Sequence, residues 1–225
     1  MIPPIIISEA IQQHIDIIAI TDHNHTANIH AVQQAAQGTD LLVLPGMELQ
    51  TKEEVHALCL FDELDQSSAF QQIVNEHLPK LKNNPEFFGE QFVVDSSGKF
   101  IRREEQLLII SCDLSLKEAV KIVDDLGGLL IPAHVNRTKF GLLPVLGLVP
   151  TDVELEALEI SRHITPQSAR DQYPQLVHYP LIQNGDVHII DQFLGSTYFT
   201  VEKPTIAELR QALHHQNGRS FSVKS

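Results

Sequence analysis

Positive charge is scarce in this chain, cysteine is nearly absent, and no long hydrophobic run interrupts it. Sixteen Lys and Arg stand against 29 Asp and Glu, a formal net charge of -13. Such a balance repels a phosphate backbone unless metal ions or a local basic patch offset it, so a duplex-binding module is disfavoured and long nucleic acid is not an expected partner. Cys59 and Cys112 form neither a CxxC pair nor a disulfide framework, and two free thiols suit a reducing cytoplasm. The apolar opening Ile5-Ile6-Ile7 is too short for a signal peptide and lacks a basic flank, and no run approaches the ~20 residues of a membrane helix. A soluble, cytoplasmic protein with no membrane partner is expected. Also missing are GxGxxG, a Walker loop, a GxSxG elbow and zinc-finger spacing, which removes several enzyme and binding classes.

What the sequence does contain is a rhythm. Short apolar runs, Ile17 to Thr21, Leu41 to Pro45, Val55 to Phe61, Leu129 to Ala133, Ala157 to Ile160, Pro180 to Gln183 and Tyr198 to Val201, alternate with segments of helical spacing. That alternation predicts an α/β fold with a largely parallel sheet or barrel. At 225 residues one large core suffices, so residues 1–225 are expected to form a single domain. Ser115 with Glu118 and Thr205 with Glu208 have the spacing of reciprocal helix caps. The second of these helices is expected to end near Asn217-Gly218. Residues 62–113 break the rhythm and read as an insertion or lid, with a hairpin turning around Ser96-Ser97-Gly98.

Several apolar runs end in a metal-capable side chain. Ile17 to Thr21 leads into Asp22-His23-Asn24, Leu41 to Met47 ends at Glu48, Leu129 to Ala133 ends at His134, and Pro180 to Asn184 leads to Asp186 and His188. In an α/β barrel the carboxyl ends of the strands converge on one face, which would gather these residues. His56 is a further candidate, although it opens its run instead of closing it. Singly, an Asp or His after a strand is more often a turn former or helix cap; the repetition is what points to a site. Mixed imidazole and carboxylate donors suit manganese, zinc or iron. Two such ions sharing Glu48 could activate a water and stabilise the attacking and leaving oxygens of a phosphoester. Arg137 and Arg162, each following an apolar run, could hold a substrate phosphate in a bidentate pair or form ordinary surface ion pairs. His25 is read as second to the ligands or on the surface.

At Ile17 to Asn24 (IIAITDHN), Leu44 to Glu48 (LPGME), Val55 to Leu58 (VHAL), Pro132 to His134 (PAH) and Asn184 to His188 (NGDVH), the chain resembles the PHP (polymerase and histidinol phosphatase) family. The resemblance implies a distorted (β/α)7 TIM-like barrel, up to three divalent metal ions, and hydrolysis of a small phosphorylated metabolite or nucleotide by a metal-activated water. It makes Glu48 a bridging ligand, His56 and His134 ligands of one metal, Asp186 a ligand of another, and His23 with His188 ligands of a third. Asp22 then handles protons or supports the ligands, and Arg137 or Arg162 neutralises the phosphate. One departure stands out: the family opens with a His-x-His strand, whereas Met1-Ile2-Pro3-Pro4 looks like the segment after it. A barrel lacking its first strand is therefore expected. The alternative reading is a metal- or phosphate-binding domain with impaired catalysis.

Overall fold

The computed structural model describes residues 1–224. Helix α1 (Pro3–Gln12) starts on two prolines, which preset φ and lack the amide that a helix start leaves unpaired. Strand β1 (Ile17–Ile20), helix α2 (Ile29–Ala35) and strand β2 (Leu42–Gln50) follow as a β-α-β unit with parallel strands, Ile17 opposite Leu42. Strand β3 (His56–Leu60) then turns back and pairs antiparallel with β2, setting Gln50 opposite His56.

Helix α3 (Leu64–His77), short helix α4 (Pro85–Phe88) and the antiparallel hairpin β4 (Phe92–Val94) and β5 (Phe100–Arg103) come next. The rhythm resumes with α5 (Leu116–Asp125), β6 (Leu129–Pro132), α6 (Leu142–Leu146), β7 (Leu158–Ile160), α7 (Pro166–Gln172) and β8 (Leu181–Gln183). Strand β9 (Thr197–Thr200), helix α8 (Ile206–Leu213) and strand β10 (Ser220–Val223) complete it.

The α/β class is as expected, with three corrections. The central sheet, in the order β1-β2-β3-β6, is parallel only at β1 and β2, because β3 runs against both its neighbours. Beyond that sheet, β7 pairs with β8 in parallel and β9 with β10 antiparallel. Helix α8 stops at Leu213, and Asn217-Gly218 instead supplies the positive-φ turn into β10. Ser115 makes the reciprocal cap with Glu118 at α5, whereas Glu208 turns to Arg219 and leaves Thr205 to cap α8 alone.

Alternation along the strands divides the apolar residues between two layers. Met47, Leu49, Ala57 and Cys59 point outward against Phe70 and Val74 of α3 and Leu116, Ala119 and Val123 of α5, all buried in one cluster. Full burial of a side chain such as Phe70 contributes about 1.5–3 kcal/mol. Leu44, Leu129, Ile131, Ala157 and Ile182 pack in a second cluster on the opposite face, with Leu209 and Leu213 of α8. Cys59 and Cys112 are both buried and unbridged, and burial pushes both thiols up in pKa, which keeps them protonated.

Candidate metal centre

The second layer leads to the site. Following the pleat two residues at a time, Ala19, Thr21 and His23 share a face with Leu44, Gly46 and Glu48, and this row continues through Leu60, Leu58 and His56 on β3 and Leu129, Ile131 and Ala133 on β6. The rows on β1, β2 and β3 run from apolar at the deep end to polar at the rim, whereas the row on β6 ends at Ala133. Gly46 is the one residue that fits its place, since a Cβ there would lie 2.9 Å from Thr21 Cγ2 and 3.1 Å from the Ile20 carbonyl. His56 reaches the rim because β3 is reversed: the beginning of β3 lies at the end of the sheet where β2 and β6 finish. His134 has the wrong parity for the row, and its backbone leaves the pleat with φ +32°. Asn24 and Asp186, also at strand ends, adopt φ +50° and +46°. Such conformations are uncommon outside glycine and gather at functional sites.

Glu48 is the hub. Its Oε1 lies 2.8 Å from His56 Nδ1 and 3.2 Å from His134 Nε2, and its Oε2 lies 3.4 Å from His23 Nδ1. Ligand atoms of His23, Glu48 and His56 all fall within 4.8 Å of one another. Buried imidazole nitrogens of His23 (Nδ1), His56 (Nδ1 and Nε2) and His134 (Nδ1) have no hydrogen-bond partner; even the 2.8 Å approach of His56 to Glu48 is misaligned for one. An unsatisfied buried polar atom costs about 1–3 kcal/mol. A divalent cation among these nitrogens and the Glu48 carboxylate would remove that cost, so the donor set fits a metal of the zinc, manganese or iron type. Phe140 stacks on His56 with centroids 4.5 Å apart and fixes the ring.

Charge follows the same geometry. Burial alone would raise the Glu48 carboxyl, but the imidazoles of His134, His56 and His23 outweigh it and hold the group well below the usual carboxylate range. Burial lowers His23, which favours the neutral ring a metal needs. Asp22, open to the cavity but walled by protein, is raised by that desolvation and accepts a 2.9 Å hydrogen bond from Asn28 Nδ2. Asn28 also donates to the Phe92 carbonyl and accepts from the Val94 amide, which ties the hairpin to the rim.

The remaining candidates lie farther out. Asp186 pairs with Arg137 at 2.8 Å and approaches His188 Nδ1 at 3.3 Å, and the His188 ring stands 6.1 Å from that of His23. Arg162 donates to the Gln192 carbonyl at 2.9 Å and points at that of Gly185, so its guanidinium holds the loop carrying Asp186 and His188. His25 faces Glu104 of the hairpin at 3.7 Å, at the cavity wall. A cavity of about 890 Å³ opens beside the rim, lined by Asp22, His23, Glu48, His134, Asp186 and His188 and floored by the apolar inner row.

Glu159 is a buried charge that the sequence reading passed over. It sits on the inward side of β7, accepts hydrogen bonds from the His134 amide and from Asn184 Nδ2, and burial pushes its pKa up to about 7 against those bonds. A lone acid inside the apolar run Ala157 to Ile160 was the available signal.

No family model and no curated protein matches the chain. Solved structures do. A lesion-specific endonuclease from Pyrococcus furiosus, PfuEndoQ, is similar over 98% of this chain and 53% of its own, with a TM-score of 0.64 and 20% identity. Endonuclease Q in complex with a 27-mer duplex bearing an abasic lesion at the active site matches the same shares of both chains, with a TM-score of 0.67 and 19% identity. A two-domain protein from Bacteroides vulgatus containing a predicted PHP-like metal-dependent phosphoesterase matches over 99% of this chain and 60% of its own, with a TM-score of 0.52 and 12% identity. The chain thus spans about half the length of the endonucleases it resembles. Its fold is the one found in Endonuclease Q and in a PHP-like phosphoesterase, in agreement with the motifs at the strand ends.

Proposed function

We propose that this chain is a metal-dependent phosphoesterase of the PHP type. The observation that carries the reading is the convergence of His23, His56 and His134 on Glu48, with buried ring nitrogens that lack any other partner. A divalent ion held there supplies Lewis acidity toward a phosphoryl oxygen and an activated water. In this scheme, as the resemblance implies, Glu48 would be shared between ions, His56 and His134 would hold one, Asp186 a second, and His23 with His188 a third. Asp22, raised in pKa and facing the cavity, is placed to exchange a proton with water or leaving group. Arg137, exposed beside Asp186, can turn a bidentate face to phosphate; Arg162 supports it by holding the ligand-bearing loop.

The substrate class is a small phosphorylated metabolite or a nucleotide. A phosphodiester within damaged DNA stands beside it, because two similar structures are of an endonuclease, one bound to lesion-containing DNA; the net charge of -13 opposes long nucleic acid here. One observation favours a second reading, a metal- or phosphate-binding domain without turnover: Arg137 already occupies Asp186, so only the Glu48 half of the site is gathered. The test is elemental analysis with manganese titration, followed by turnover of p-nitrophenyl phosphate, bis-p-nitrophenyl phosphate and an abasic duplex. Binding with hydrolysis of any of the three supports the phosphoesterase. Binding without hydrolysis selects the second reading, and no metal at all defeats the phosphoesterase and leaves only the phosphate-binding form of the second.

A further inference from the structure

The two halves of the site are borne by different strand ends, His134 after β6 and Asp186 after β8, with β7 between them in the chain and hydrogen-bonded to β8. One buried side chain reaches both. Glu159 Oε2 accepts the His134 amide at 3.0 Å, and Oε1 accepts Asn184 Nδ2 at 2.8 Å, two residues before Asp186. Both residues so anchored lie at breaks from the pleat, His134 at φ +32° itself and Asn184 just ahead of Asp186 at φ +46°. The neighbouring backbone bond, Val135 amide to Glu159 carbonyl at 2.8 Å, locks β7 to the same turn. A carboxylate with 3% exposure in an apolar strand is expensive to bury and is retained only where its partners compensate.

We infer that Glu159 is a positioning residue that sets the distance between the His134 and Asp186 halves of the metal centre. It touches neither metal nor substrate. Its two hydrogen bonds hold a left-handed turn on each side, so that ligand-bearing segments from separate strands present their side chains to one cavity. The inference rests on the proposed metal site only for its consequence; the strut itself is a feature of the metal-free fold.

The full chain therefore gives two independent readouts. Without metal, the His134 amide should exchange slowly with solvent deuterium in the wild type and much faster in Glu159→Ala. With manganese alone, Glu159→Ala should bind about 10–100-fold more weakly, the range typical for loss of an outer partner of a ligand. Glu159→Gln should recover most of that affinity, because its amide can accept from His134 and donate to the rotated Asn184 side chain. Asn184→Ala, at the exposed end of the strut, should weaken manganese binding less than Glu159→Ala and leave His134 exchange slow. Wild-type manganese affinity in Glu159→Ala overturns the inference, as does failure of Glu159→Gln to recover it. Should Glu159→Ala not fold, unchanged manganese affinity in Asn184→Ala overturns it. If the wild type binds no manganese, the proposed function falls, and protection of the His134 amide still decides whether the strut exists.

Discussion

The Glu48 side of the site and the Asp186 side differ in how firmly they are held. On the first, the side chains of His134, His56 and Glu48 are 2%, 5% and 8% exposed; the sheet sets the spacing of His56 and Glu48, and His134 follows shortly after β6. On the second, Asp186, Arg137 and His188 are 30%, 44% and 56% exposed, on turns beyond the strands. A site on regular elements is preorganised, whereas one on loops can be rearranged by what it binds. Metal affinity should therefore come from the first side, and response to substrate from the second.

Glu48→Gln attacks the firm side at its hub and should have the largest effect. The neutral amide removes the charge that three imidazoles surround, so manganese affinity should fall by more than the about 100-fold at the top of the range for an outer partner, with loss of hydrolysis. Isothermal titration checks this; wild-type affinity would mean that Glu48 is not the hub. His134→Ala should come next, losing part of the metal measured by elemental analysis while the protein still melts cooperatively. Equal, near-zero metal in variant and wild type would erase the distinction between the two sides.

Arg137→Ala tests the looser side. Removing one charge-assisted bidentate partner should raise KM for a phosphomonoester by roughly tenfold, about 1.4 kcal/mol of binding, and leave metal content unchanged. Arg162→Ala should alter KM less, through the loop it braces, and steady-state kinetics of the pair decide the ranking. The smallest effect concerns His25, whose ring burial, with the nearby Arg102 charge, lowers its pKa from 6.5 to about 4. Because the unfolded ring takes up a proton first, its contribution to stability is full above pH 6.5 and is lost as pH falls through about 4. Melting curves across that window should show a shallower decline in His25→Gln, and parallel declines would show that His25 is unburdened.

Much of the firm side was legible from the chain, because it rests on a strict two-residue alternation: an apolar deep row ending in His23, Glu48 or, in reverse, His56. What could not be read was the direction of β3. Apolar runs separated by helical segments suggested parallel strands throughout, but only the short stretch Thr51 to Val55 joins β2 to β3, and a parallel crossover needs a dozen residues or more. That same shortness explains why His56 opened its run and still reached the rim. Helix α8 ended early because His215 adopts the left-handed conformation, φ +52°, with the Gln216 amide donating back to the Gln211 carbonyl, a cap that comes before Asn217. Glu159 escaped notice because its role is to hold backbone, and a hydrogen bond from the His134 amide leaves no trace in residue spacing.

The reversal of β3 makes the Thr51–Val55 turn the ruler of the site. The Thr51 amide donates to the Val55 carbonyl at 2.9 Å, and the Thr51 hydroxyl accepts from the Val55 amide at 3.3 Å, so the turn length fixes Gln50 opposite His56. A change of one residue there would slip the pairing by a step, and a single step in a strand sends every side chain to the other face. His56 would then enter the layer of Met47, Leu49 and Cys59, and Ala57 would take its place at the rim. Insertions in the hairpin beyond β3 carry no such penalty. In any set of related chains, length variation should thus be tolerated across residues 79–106 and excluded from 51–55.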